Sequence, residues 1–347
     1  MASGQVAHTS GARIAGIVSC VPSRRVENGH FMDRFGDKVN EVVKMTGVQT
    51  RYWVENGATT SDLCASAADR LLDGLSWERD SVDGIIFVSQ TPDYRLPATA
   101  CVLQDRLGFR TGILAFDVSL GCSGYPYSLW LAMMMIQTGA ARRIILAVGD
   151  TSSIMNDSED RGTALLFGDA GTVTAVEATE EGEGDAHFIL GTDGQGADNL
   201  IVPMGAFRKR EATGKFEGRQ LDKLYMDGGE VFNFTLKAVP GLIRDTMEAA
   251  GKTIDDYDVF LLHQANAFMI RHLAKKAKLP PEKVPINIDR YGNTSSATLP
   301  LLMTTDVADD LASGERQVAM FGFGVGYSWA AASMKIGPLK CVETITL

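Results

Sequence analysis

"FDVSLGCSGYPYSLWLAMMMIQTGA", residues 116–140, reads as an apolar run that reaches Gly121, presents Cys122, and continues as a long apolar helical pattern. A strand-to-helix turn of this kind sets a cysteine at a helix mouth. Gly121 permits both the tight turn and the close approach of a ligand. A helix N-terminus carries unpaired N–H groups and about half a positive charge. Both favour thiolate over thiol, so the expectation is a Cys122 pKa lowered from ~8.5 by one or more units, at ~1.4 kcal/mol per unit. Taken alone, Cys122 reads more readily as a structural core cysteine than as a nucleophile.

Outward from that turn, "GIIFVSQ" 84–90, "RIILAVGD" 143–150, "AGTVTAVEA" 170–178, "DVFLLHQ" 258–264 and "RQVAMFGFG" 316–324 read as buried strands. They alternate with helical patterns at 97–107, 125–138, 231–250 and 267–278. Such alternation predicts an α/β fold with crossover units on largely parallel sheets. The halves also repeat. Strand 84–90, helix, strand "LAFDVSLG", Cys122, helix and strand 143–150 match strand 258–264, helix, strand "VPINIDRYG", Asn293, helix and strand 316–324. Ile85 to Cys122 spans 37 positions and Val259 to Asn293 spans 34. Two equivalent units predict a pseudo-twofold arrangement of two sheets with helices between and outside them. Cys122 and Asn293 then occupy equivalent helix starts at one central cleft. The acidic, glycine-rich "EATEEGEGDAHF" at 177–188 is the expected connection. It divides the chain into residues 1–180 and 181–347.

With 347 residues, 45% hydrophobic and 22% charged, the composition is that of an ordinary globular chain able to bury a large core. The longest apolar run, "LWLAMMMI", is far short of the ~18 residues of a membrane span. The first twenty residues lack the pattern of a secretory signal. Five scattered cysteines form no disulfide or zinc spacing, so reduced thiols and a cytoplasmic location are expected. A formal charge of −10 argues against general nucleic-acid binding. Two local basic patches remain, Arg208-Lys209-Arg210 and Arg271/Lys275/Lys276/Lys278, each of which reads by itself as a solvated face.

Two further stretches change the weight on Cys122. In "LLHQANAFMI", His263 closes a buried strand at its carboxyl end, where α/β proteins build sites. In "RYGNTSSATLP", Asn293 follows a glycine turn and would otherwise pass for a helix cap. His8, His30, His187 and His272 form no ligand-spaced cluster, so no metal is expected. Gly322, Gly324 and Gly326 of "FGFGVG" lack the full dinucleotide-loop spacing.

Together these residues resemble the β-ketoacyl-acyl-carrier-protein synthase III group of thiolase-like condensing enzymes. The resemblance rests on Cys122 in "FDVSLGCSGYPYSL", "DRGTALLFGDAG" 160–171, "HQAN" 263–266, "YGNTSSATLP" 291–300 and "FGFGVGYSW" 321–329, and it runs from about residue 12 onward. It implies a thiolase-like fold of two pseudo-equivalent halves, with mixed five-stranded sheets layered α-β-α-β-α. It implies Cys122 as the acylated nucleophile, and His263 and Asn293 as donors to a malonyl thioester carbonyl. The backbone N–H groups of Cys122 and of the loop near Val325 form the oxyanion site. The substrates it implies are coenzyme A or acyl-carrier-protein thioesters, with no tightly bound cofactor, in fatty-acid or specialised lipid or polyketide biosynthesis by a homodimer.

The pattern also departs from the family. An adenine-sandwiching Trp and Arg ahead of "TG" are replaced by Glu41 and Met45, although Arg161 of "DRGT" is kept. Gly229 stands where a pantetheine-contacting Asn is usual, and Phe268 where an Arg meets the carrier. A carrier-bound or unusual primer is therefore expected in place of acetyl-CoA. Arg271, Lys275 and Lys276 are read as carrier-docking cations. Leu96 of "PDYRLPATA" is read as closing a partner's acyl pocket, and Met133-Met134-Met135 as core. Three other readings stay open: an acyltransferase passing its acyl group to an alcohol, amine or non-malonyl carbanion, a weakly catalytic partner subunit, and a cysteine hydrolase.

Overall fold

The computed structural model describes residues 4–180 and 183–347. The proposed connection at 177–188 lies partly outside the described residues, as does the exact division at 180/181. Two large mixed sheets organise the chain. The first has six strands in the order Val342–Thr346, Ala12–Val21, Asp169–Ala178, Arg143–Thr151, Gly84–Val88, Leu114–Val118. The second has five, in the order Gln5–Thr9, Ala186–Thr192, Ser328–Ile336, Arg316–Gly324, Val259–Leu262.

The sequence of the strands explains their place. Arg143–Thr151 is apolar almost throughout because both of its faces are covered. Ile144, Leu146 and Val148 enter the core between the sheets, while Ile145 and Ala147 enter the outer core beneath helix Thr60–Leu75. Arg316–Gly324 repeats the pattern, with Val318 and Met320 inward and Ala319, Phe321 and Phe323 outward under helix Gly228–Ala249. Helix Gly124–Gln137 is apolar on nearly every side because it lies between the sheets, its Tyr125, Leu129 and Met133 buried in the shared core. Thr298–Thr305 lies in the same layer, with Leu299, Leu302 and Met303 in that core. The result is the α-β-α-β-α layering that the resemblance implied, and Met133 is core.

Three expectations are corrected. The sheets are mixed, as the resemblance implied, and not largely parallel as the alternation alone suggested: Asp169–Ala178 and Ser328–Ile336 each run antiparallel to both neighbours. The first sheet has six strands, because Val342–Thr346 adds parallel to Ala12–Val21. Gln5–Thr9 pairs antiparallel with Ala186–Thr192, so each end of the chain completes the sheet of the opposite half. Finally, "VPINIDRYG" is not a strand. Pro285 has no N–H to donate to a ladder, Asn287 bonds Gln264 Oε1 and Thr305 Oγ1, and Ile288–Tyr291 coils into one helical turn.

Candidate active site

The three chemistry-bearing residues arrive from separate elements. Cys122 sits two residues before helix Gly124–Gln137, with Ser123 as the N-cap. His263 follows strand Val259–Leu262, and its N–H is held by the Phe321 carbonyl of the neighbouring strand at 2.9 Å. Asn293 follows Gly292, whose positive φ of 68° turns the chain where a Cβ would press on Leu166 O and Arg51. All three line one cavity of about 640 Å³ and are nearly inaccessible, at 6%, 2% and 5% exposure.

Asn293 is fixed from both sides. Its N–H donates to Leu166 O and its C=O accepts from Gly168 N, both at 3.0 Å, which ties it to the segment 160–171. The Ser295 N–H, which can only donate, lies 2.9 Å from the side-chain oxygen of Asn293. The carboxamide NH₂ is therefore the group left to serve the cavity. His263 Nδ1 lies 2.7 Å from Thr298 Oγ1, and the Phe323 ring stands edge-on to the imidazole at 5.5 Å. Burial pushes the imidazole down to about 3, so at neutral pH the ring is uncharged.

For Cys122 the electrostatic expectation reverses. Burial pushes the thiol up to about 11, against the opposing pull of the Val325 N–H, the Ser295 hydroxyl and its own N–H. Depth of burial outweighs these donors. Glycines make room for the sulfur: a Cβ at Gly324 would lie 2.8 Å from both Cys122 Cβ and Sγ, and one at Gly121 would meet Gln90 and Val325. The Cys122 main chain is likewise covered closely, since a Cβ at Gly322 would sit 2.7 Å from its carbonyl.

The mouth is apolar. Met45 and Phe268 are more than half exposed there, and Phe268 packs against Phe232 at 5.9 Å. The charged residues among the described lining groups are Glu41 and Arg161, 4.0 Å apart, and Gly229 also lines the wall. Helix Ala267–Lys276 carries Phe268 to the mouth and presents Arg271 and Lys275 on the same exposed face, at i+3 and i+7. Lys276 instead donates to Leu236 O. Leu96, 79% exposed, is not among the residues that line this cavity. Arg210 of the other basic patch is paired with Asp198. Among the described residues no His/Cys/Asp/Glu cluster has the makings of a metal site, and no helix is long and apolar enough to cross a membrane.

Sequence reading missed several residues. Asp150, fully buried, accepts from Gln90 N and Ser296 Oγ, both at 2.7 Å, and so pins the turn after Asn293 to the end of strand Arg143–Thr151. Burial raises its pKa. Its signal was a carboxylate at the carboxyl end of a buried strand. Arg51, without exposure, lies beneath Phe31 and Trp53 and bonds Asn28 Oδ1 and Ala164 O, shoring up segment 160–171. Thr298 was quoted in a motif but given no task.

Comparison with known proteins bears on the family. The family model for 3-oxoacyl-[acyl-carrier-protein] synthase III matches residues 116–194, and that for its C-terminal part matches 247–336. The first span contains Cys122 and the second contains His263 and Asn293. A β-ketoacyl-[acyl-carrier-protein] synthase III of Alkalilimnicola ehrlichii is 35% identical, over 93% of this chain and 99% of the relative. The crystal structure of a 3-oxoacyl-(acyl-carrier protein) synthase from Burkholderia xenovorans LB400 superposes with a TM-score of 0.98 at 56% identity, covering 99% of each chain. The priming β-ketosynthase of the R1128 polyketide pathway gives 0.81 at 25% identity, covering 95% of this chain and 98% of that one. On fold, motifs and these likenesses, the chain belongs to the 3-oxoacyl-[acyl-carrier-protein] synthase III family of thiolase-like condensing enzymes.

Proposed function

We propose that this protein is a decarboxylative condensing enzyme that elongates a Cys122-bound acyl group with a malonyl thioester. The observation that carries this reading is the convergence of Cys122, His263 and Asn293 on one enclosed cavity. Cys122 sulfur attacks the primer thioester carbonyl, its own proton leaves with the departing thiol, and an acyl-enzyme forms. During this step the N–H groups of Cys122 and Val325 receive the developing oxyanion. The malonyl thioester then enters with its carbonyl oxygen toward His263 and the Asn293 amide. Its C–C bond breaks, CO₂ departs, and the electron pair is held as an enolate by those two donors. The enolate carbon attacks the acyl carbonyl, Cys122 thiolate leaves, and a 3-oxoacyl thioester results. A neutral imidazole suits this role, because a ring that charged readily would exchange protons with the carbanion. In this reading the half at 1–180 supplies the nucleophile and the half at 181–347 the two donors.

The test follows loading and CO₂ release separately. Protein pre-loaded with an acyl group on Cys122 should release CO₂ from malonyl carrier protein and yield 3-oxoacyl product. Loading without CO₂ release would replace the reading with a simple acyltransferase, and no loading with any thioester would leave a scaffold subunit.

The mouth supports a primer delivered on carrier protein. The nucleotide of coenzyme A is a polyanion, yet among the described lining residues its one cation, Arg161, is already shared with Glu41. Arg271 and Lys275, beside Phe268, offer an acidic carrier a docking stripe. Glu41→Gln should speed acylation by acyl-CoA by about two- to fivefold, the scale of an exposed ion pair, and leave carrier-borne primers unchanged. Equal rates for both donors in the unaltered enzyme, measured by intact mass, would refute the preference.

A homodimer completes the picture. Strand Leu114–Val118 is an unpaired sheet edge with Leu114 40% exposed, Leu96 stands out nearby in sequence, and Trp130 Nε1 is buried without an acceptor in the single chain. A second copy laid along that edge would pair its open backbone groups and cover Leu114. Five free cysteines fit a reducing cytoplasm.

A further inference from the structure

The condensation step, as proposed above, needs a hydrogen on the cavity-facing nitrogen of His263, and the ring itself does not decide where its one hydrogen sits. With Nδ1 engaged by Thr298 at 2.7 Å, Nε2 is the nitrogen left for substrate. Thr298 is 1% exposed, and its hydroxyl has one hydrogen and two acceptors in reach: His263 Nδ1 at 2.7 Å and the Ser295 carbonyl at 3.0 Å. If that hydrogen goes to Ser295, Nδ1 must carry the ring hydrogen to complete its own bond. Nε2 then turns a lone pair toward the thioester oxygen, and the two repel. If it goes to Nδ1, the ring hydrogen is displaced to Nε2, where it can be donated. The Ser295 carbonyl already accepts the Thr298 backbone N–H, so it does not depend on the hydroxyl for a partner.

We propose that Thr298 is a positioning residue whose hydroxyl donates to Nδ1 and thereby holds His263 as the Nε2–H tautomer that condensation uses. This inference rests on the donor role of His263. Thr298 also begins helix Thr298–Thr305, in the layer between the sheets, and that helix is preceded directly by the turn bearing Asn293. One short segment thus places the second donor and sets the hydrogen of the first. The sequence "GNTSSAT" carries both.

The experiment compares Thr298→Val, which keeps the shape and removes the hydroxyl, with Thr298→Ser, which keeps the hydroxyl. Each is assayed with a primer thioester and malonyl carrier protein, alongside ¹⁵N-histidine spectra in which the His263 resonances are assigned by their loss in His263→Gln. Thr298→Val is expected to load Cys122 normally. Its kcat for condensation should fall by about 10- to 100-fold with KM little changed, and the spectrum should gain the Nδ1–H form. Thr298→Ser is expected to restore both. Condensation at the normal rate in Thr298→Val, or an Nδ1–H ring in the unaltered enzyme, overturns the proposal. Should Thr298→Val fail to load, the spectrum of the unaltered enzyme decides alone: Nε2–H sustains the proposal and Nδ1–H ends it. An unaltered enzyme that loads but never releases CO₂ defeats the condensing reading instead, which the spectrum would not reveal.

Discussion

Cys122→Ala is expected to abolish the acyl adduct seen by intact mass with any thioester donor, and condensation with it, while the protein stays folded. The exchange removes one sulfur from a site already walled by Gly121, Gly322 and Gly324, so no neighbour has to move. A residual adduct would have to sit elsewhere, and the exposed Cys101 is the control to replace first. The pH dependence carries a definite sign. With the thiol near 11, about one molecule in ten thousand holds a thiolate at pH 7, and the fraction rises tenfold for each unit upward. Alkylation of Cys122 by a small neutral reagent should therefore climb steadily from pH 7 to 10. A plateau reached by pH 8 would mean that the helix mouth outweighs burial after all.

His263→Ala and Asn293→Ala should each leave Cys122 loading intact and lower condensation by about 10²- to 10³-fold, the range found when one oxyanion donor is removed. Both donors meet the same carbonyl oxygen, so the double variant should fall well short of the product of the single losses. The measurement is single-turnover CO₂ release from malonyl carrier protein by pre-acylated enzyme. Condensation retained in either single variant would remove that residue from the mechanism. Loss of loading in both would instead point to a role in the first half-reaction.

Much of this was legible before any coordinates. The runs around Ile86, Leu146 and Met320 are apolar on both faces because helices cover both faces, and such runs announce themselves. The repeat then placed Cys122 and Asn293 together. Strands Gln5–Thr9 and Val342–Thr346 were not legible, since their partners lie far off in sequence and local patterning is silent about pairing at such range. "VPINIDRYG" misled because its apolar residues matched the repeat while Pro285 and the Asn287 hydrogen bonds broke the ladder. Cys122 shows the same limit in its electrostatics. The Cys122 N–H at the helix mouth could be read from the turn, but the depth that outweighs it is set by residues distant in sequence, Phe323 and Gly324 among them. Asp150 and Thr298 escaped notice because their partners, Ser296 and His263, are neighbours only in space.

The reciprocal exchange of terminal strands bears on how the molecule is made. Gln5–Thr9 is synthesised well before its receiving strand, Ala186–Thr192, which follows the whole stretch containing Cys122. The sheet holding Ala12–Val21 in turn waits for Val342–Thr346, far later in the sequence. Each sheet therefore stays one strand short until distant sequence has been made, and a truncation that removed Val342–Thr346 would injure the sheet built around Ala12–Val21.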